Sequence, residues 1–202
     1  GVYFQGQEVI HPNELTEDSE IYAEPLEPDF HGRNRRYLER SRDIKMCHQT
    51  GVTIRIFAIE NQHYIDYSMP FRNMQYDMLE YQHQLEEIKN RNEAEGVFAT
   101  TNEYLSKMKK TDRLHPVYTL CLYLGTEPWA GPRSLMDMMD FGDNADNLKA
   151  YFADYPLRLY CVNEERNFSM FHTEIRNVFE LLPLRKDKKR LLQKLEQNST
   201  YK

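Results

Sequence analysis

Residues 40 to 62 read RSRDIKMCHQTGVTIRIFAIENQ, and this stretch decides the fold. The run Ile54-Arg55-Ile56-Phe57-Ala58-Ile59 is rich in β-branched and aromatic residues. Gln49-Thr50-Gly51 before it carries turn chemistry. Two strands joined by a short turn are predicted, over residues 37–47 and 53–62. Side chains alternate along a strand, so Glu60 and Gln62 share a face of the second strand. Antiparallel pairing would bring Asp43, on the first, opposite that pair or diagonal to it. Two carboxylates and an amide oxygen would then meet at the end of an otherwise buried strand. Such a pair is costly to bury unless a cation neutralises it.

Taken without further context, each of these residues has a plainer role. Asp43 could form an ion pair with Arg40, Arg42 or Lys45, Glu60 could face solvent at a strand end, and Gln62 could be a hydrogen-bonding loop residue.

Outward from the hairpin, the order of elements is readable. Residues 1–36 read as a lead-in, acidic and Pro-bearing from His11 to Asp29 and therefore extended or looped. The chain starts without Met and in mid-pattern, and is read as a fragment. Ser68-Met69-Pro70 marks a helix start. Phe71, Met74, Met78, Tyr81, Leu85 and Ile88 follow at spacings of three and four, which predicts a stripe packed against the sheet. Arg72, Gln75, Tyr76 and His83 fall on the other face. Residues 90–112 are polar, with a short helical pattern around Tyr104. Val117 to Leu124 is a near-continuous apolar run between Pro116 and Gly125, expected as a buried central strand. A Gly/Pro-punctuated loop then holds Trp129, expected to plug the core rather than to stack on a base. Residues 134–139 predict a short helix and 157–162 a further strand. Residues 169–202 form a helical extension interrupted at Pro183.

The composition sets limits. With 202 residues and 40% hydrophobic content, one domain with a substantial core is expected. No apolar run approaches the roughly 18 residues of a membrane span, and no secretory leader is read at the start. Cys47, Cys121 and Cys161 are far apart in strand-like runs, the pattern of buried thiols in a reducing, cytoplasmic compartment. The net charge of −6 opposes strong non-specific binding to nucleic acid. Two basic clusters stand out against it, residues 33–45 and 185–190, and each could meet phosphate or simply balance a neighbouring acidic face.

Strand, strand with Glu-x-Gln, long helix, buried strand is an order that resembles the restriction-endonuclease-like, or PD-(D/E)XK, nuclease fold. The wording is more specific. Ile59-Glu60-Asn61-Gln62 followed by Tyr67-Ser68-Met69-Pro70-Phe71-Arg72-Asn73-Met74-Gln75-Tyr76-Asp77 is similar to the signature of the Rpn family of recombination-promoting nucleases, which have also carried the label of transposases. Pro116 to Leu120 and Tyr123 to Pro132, with Trp129 and Gly131, resemble that family's second hallmark. Glu39 to Asp43 and Phe171 to Arg176 fit as well, so the resemblance spans nearly the whole chain.

The resemblance implies an α/β (α+β) fold with a restriction-endonuclease-like core: a mixed central sheet, a β-hairpin carrying the site, and flanking helices, in a single domain over residues 1–202. It implies a metal-dependent DNA endonuclease that hydrolyses phosphodiester bonds, linked to recombination or mobile elements. Asp43 and Glu60 match the acidic metal ligands, with the backbone carbonyl of Asn61 or the side chain of Gln62 completing the set. Asp43, Glu60 and Gln62 form the catalytic set. Mg²⁺ or Mn²⁺ is the expected cofactor, DNA the expected partner, with Arg40, Arg42 and Arg72 as phosphate contacts; a homodimer is compatible with this picture. Gln62 departs from the wider superfamily, which has Lys there. A neutral amide can orient water but supplies no positive charge. The competing expectation is therefore a catalytically weak or inactive nuclease-fold module that binds nucleic acid or a protein.

Overall fold

The computed structural model describes residues 7, 10–17, 43–48, 53–59, 65–165 and 167–197, with the backbone alone at 12, 43–44, 53–59, 144–145 and 197. Five strands form one sheet in the order β1-β2-β3-β4-β5. They are β1 (Leu15–Glu17), β2 (Asp43–His48), β3 (Thr53–Ile59), β4 (Val117–Tyr123) and β5 (Leu159–Cys161). β1 pairs antiparallel with β2, Thr16 opposite Cys47, while β4 and β5 run parallel with Leu122 opposite Tyr160. The sheet is therefore mixed. Among the described residues five helices accompany it: α1 (Met69–Glu95), α2 (Thr101–Ser106), α3 (Ala145–Lys149), α4 (Ile175–Leu181) and α5 (Lys188–Gln197). This is a mixed α+β architecture. Among the described residues no helix is long and apolar enough to cross a membrane.

The chain divides into two compact units, one of residues 13–55 and 71–119, the other of 1–12, 56–70 and 120–202. The dividing positions fall inside β3, α1 and β4.

In the first unit, β2 and β3 lie where the β-rich runs predict them. The predicted first strand also covered 37–42, and the second 60–62; these positions lie outside the described residues. β1 falls in a segment expected to be extended or looped. Its three residues gain a strand assignment from pairing with β2 rather than from any propensity of Leu-Thr-Glu. α1 begins at the predicted Met69 and runs 27 residues.

The buried face of α1 is not the predicted apolar stripe. Phe71 and Met78 are 42% and 55% exposed, while Asn73, Glu80, Gln84 and Asn92 are buried together with Ile88. The reason lies in what the strands offer this helix. Lys45 of β2 pairs with Glu80, Thr119 of β4 donates its hydroxyl to Asp77, and the Val117 N–H donates to the Tyr81 hydroxyl. Polar partners across the interface turn the polar face inward. The C-terminal end of α1 is tied to the loop after α2: Asn92 Nδ2 donates to Lys107 O at 2.9 Å and to Asp112 Oδ2 at 2.7 Å.

The second unit has two apolar clusters. Met69, Cys121, Tyr123, Trp129, Leu157 and Cys161 form one, and Tyr160, Val162, Phe168 and Phe179 the other. Trp129 plugs the first cluster as predicted, its ring edge-on to Tyr123 at 5.2 Å. Gly125 is required here, because a Cβ at that position would lie 2.1 Å from the Tyr123 ring. The predicted strand over 157–162 appears as β5. The short helix predicted over 134–139 appears as a single 3-10 turn, Met136–Met138. Pro183 sits in a 3-10 turn between α4 and α5, where the interruption was expected.

Candidate active site

Asp43 is the first residue of β2, and β2 neighbours β3 in the sheet. β3 spans Thr53–Ile59, and Glu60 follows it in sequence. Glu60, Asn61 and Gln62 lie outside the described residues, as do Arg40 and Arg42, and the side chain of Asp43 is likewise undescribed. Arg72 lies in the first turn of α1, half-buried, and takes part in an interaction within the structure.

The segment that leads from Gln62 to α1 is anchored where it enters the helix. The Asp66 carboxylate accepts from the Ser68 N–H at 2.9 Å and from the Ser68 hydroxyl at 2.6 Å, and the Met69 N–H donates to Asp66 O. This Asx turn satisfies donors that a helix start leaves without intrahelical partners. It fixes where the chain after Gln62 joins α1.

Sequence reasoning passed over a group of side chains beside Asp43. Lys45 lies two residues along β2, so positions 43 and 45 share a face of the strand. Lys45 Nζ stands 3.0 Å from Glu80 Oε2, with both side chains under a tenth exposed. Gln84, one turn further along α1, accepts from the His115 N–H at 2.8 Å. Its Nε2 is buried without a hydrogen-bond partner among the described residues. The signal for this group was present in the sequence. Asn73, Asp77, Glu80 and Gln84 recur at spacings of four, three and four, a helical face in their own right. A polar face at that period is normally read as the solvent side. The partners on β2 and β4 reverse the reading.

Among the described residues no group of three His, Cys, Asp or Glu is placed to hold a metal ion; Glu60, Asn61 and the Asp43 side chain lie outside them. The three cysteines are thiols, Cys121 and Cys161 buried and Cys47 half-buried. Burial, reinforced by the nearby Glu164 carboxylate, pushes the Cys161 thiol up to about 11. Tyr160 is pushed up to about 12, chiefly by burial. Neither group is primed for nucleophilic chemistry near neutral pH.

No protein-family model matches the chain, and comparisons with curated proteins and with solved structures find no match.

Proposed function

We propose that the chain is a metal-dependent endonuclease of the restriction-endonuclease-like, Rpn-type class, hydrolysing phosphodiester bonds in DNA. The observation that carries this reading is the placement of Asp43 at the start of β2, next in the sheet to the strand that Glu60 follows in sequence. A long helix and then an apolar strand, α1 and β4, follow in the order that the resemblance implies.

Asp43, Glu60 and the Asn61 carbonyl would hold the ion. Two carboxylates and a carbonyl are all oxygen donors, the set that suits a hard divalent cation such as Mg²⁺ or Mn²⁺. When bound, that ion supplies Lewis acidity and an acidified water. Gln62 orients water through its amide, and Arg40, Arg42 and Arg72 contact phosphate. Without the superfamily's Lys, charge stabilisation at the phosphate falls to these arginines and the ion.

A second reading is favoured by Gln62 and by the net charge of −6: a nuclease-fold module of little or no turnover that binds nucleic acid or a protein. Nicking of supercoiled plasmid separates the two. The endonuclease reading expects nicking with Mg²⁺ or Mn²⁺ that chelator abolishes and that Asp43→Ala and Glu60→Ala each lose. Folded wild-type protein that leaves the plasmid intact with both ions selects the binding module.

A further inference from the structure

We propose that α5 of one copy docks on the acidic excursion between β4 and β5 of a second copy, so that the chain self-associates head to tail. α5 carries Leu191, Leu192 and Leu195 on one face. Leu191 and Leu195 are half-buried, but Leu192 is 46% exposed. One turn earlier on the same side stand Lys188 and Lys189, both exposed. Around them Lys186 pairs with Glu127, Arg190 with Asp187 and Lys194 with Glu180, and Arg185 donates to the Leu124 carbonyl, so Lys188 and Lys189 are the cations that this helix offers to a partner.

The excursion has the complementary character. Residues 136–154 contain Asp137, Asp140, Asp143, Asp146 and Asp154 against a single cation, Lys149. Leu148 is 50% exposed and Tyr151 is 91% exposed, with Met138 and Met139 also at the surface. Asp143 and Asp146 are exposed beside them. An apolar surface rimmed by carboxylates fits an amphipathic helix rimmed by cations. This chain itself contains such a helix, and Leu192 on it is exposed. The occupant is therefore a second copy. Because the two faces differ, the contact is heterologous and leads to a ring or an open chain rather than a two-fold dimer.

The test is sedimentation equilibrium of wild type, Leu192→Glu and Leu148→Glu, each checked for native circular dichroism; both positions are at the surface and tolerate polar residues. Wild type is expected to show concentration-dependent association that weakens as salt rises to about 0.5 M. Each variant alone is expected to be a monomer. Mixed in equal amounts, the two variants are expected to form a 1:1 dimer, since each keeps the face that the other lacks. Three results would each overturn the proposal: wild type monomeric at every concentration, association that survives in either single variant, or a mixture that stays monomeric.

Discussion

Lys45 and Glu80 are charged groups held 3.0 Å apart with almost no solvent around them. Removing one partner from such a pair leaves the other charge buried, at a cost of about 3–5 kcal/mol, whereas replacing both by apolar residues of similar volume is often close to neutral. Lys45→Met and Glu80→Leu are each expected to destabilise by that amount, and the double variant by much less than their sum. Urea denaturation of all four proteins measures the coupling; additive losses would mean that the two side chains do not depend on each other. Cys161 makes a second case at this scale. With its thiol at about 11 because of burial, about one molecule in a thousand carries the thiolate at pH 8. Alkylation mapped by peptide mass is expected to label half-buried Cys47 well before Cys161, and early labelling of Cys161 would contradict its burial. The sign for stability follows from the same shift. The folded state holds this proton more tightly, so its contribution is full below the ordinary thiol range and is lost as pH rises from there towards 11.

At the scale of elements, acid sensitivity is concentrated where α1 ends and α2 begins. Asp112 is held below the usual carboxylate range by its hydrogen bond from Asn92 and by the Lys109 N–H. Glu103 is lowered by the Lys110 and Ala99 N–H groups, and Glu95 by Lys109. All three are depressed, so their contribution is present above the ordinary carboxyl range, near 4, and is lost as pH falls through the depressed values. Amide exchange, corrected for intrinsic rates, is expected to show residues 99–112 losing protection on acidification before β4 and β5 do. Equal protection down to about pH 3, below the ordinary range, would refute this. The same helix shows what a sequence can and cannot tell. Ser68-Met69-Pro70 gave the start of α1, and the period of its apolar residues carried it as far as Ile88; its last stretch, to Glu95, falls in residues read as a polar segment. The inward face of α1 was not legible there. The outcome turned on pairs such as Lys45–Glu80 and Asp77–Thr119, whose partners lie 35 and 42 residues apart, beyond the reach of any local period. β1 was missed for a related reason, since pairing with β2 defines it.

For the whole molecule, the succession β2, β3, α1, β4 was legible because each element is long enough to show its own period or β-rich run, whereas the mixed sheet was expected from the resemblance alone. Asp43 could be placed on its strand by the same means, whereas the roles of Glu60, Asn61 and Gln62 rest on the resemblance of a short motif. Metal binding tests those roles without requiring turnover. An ion that binds the folded chain alone stabilises it by RT ln(1 + [ion]/Kd), about 1.4 kcal/mol at ten times Kd, which for a chain of this size raises Tm by roughly 3–6 °C. Mn²⁺ is expected to produce that rise in wild type at constant ionic strength, chelator to reverse it, and Asp43→Asn and Glu60→Gln each to remove it. These near-isosteric changes delete a charge with little change of volume, so loss of the shift reports on ligation rather than packing. An equal rise in wild type and both variants would place the ion elsewhere on this acidic surface. No rise in wild type up to millimolar Mn²⁺ would argue against Asp43 and Glu60 as metal ligands, whatever the plasmid assay gives.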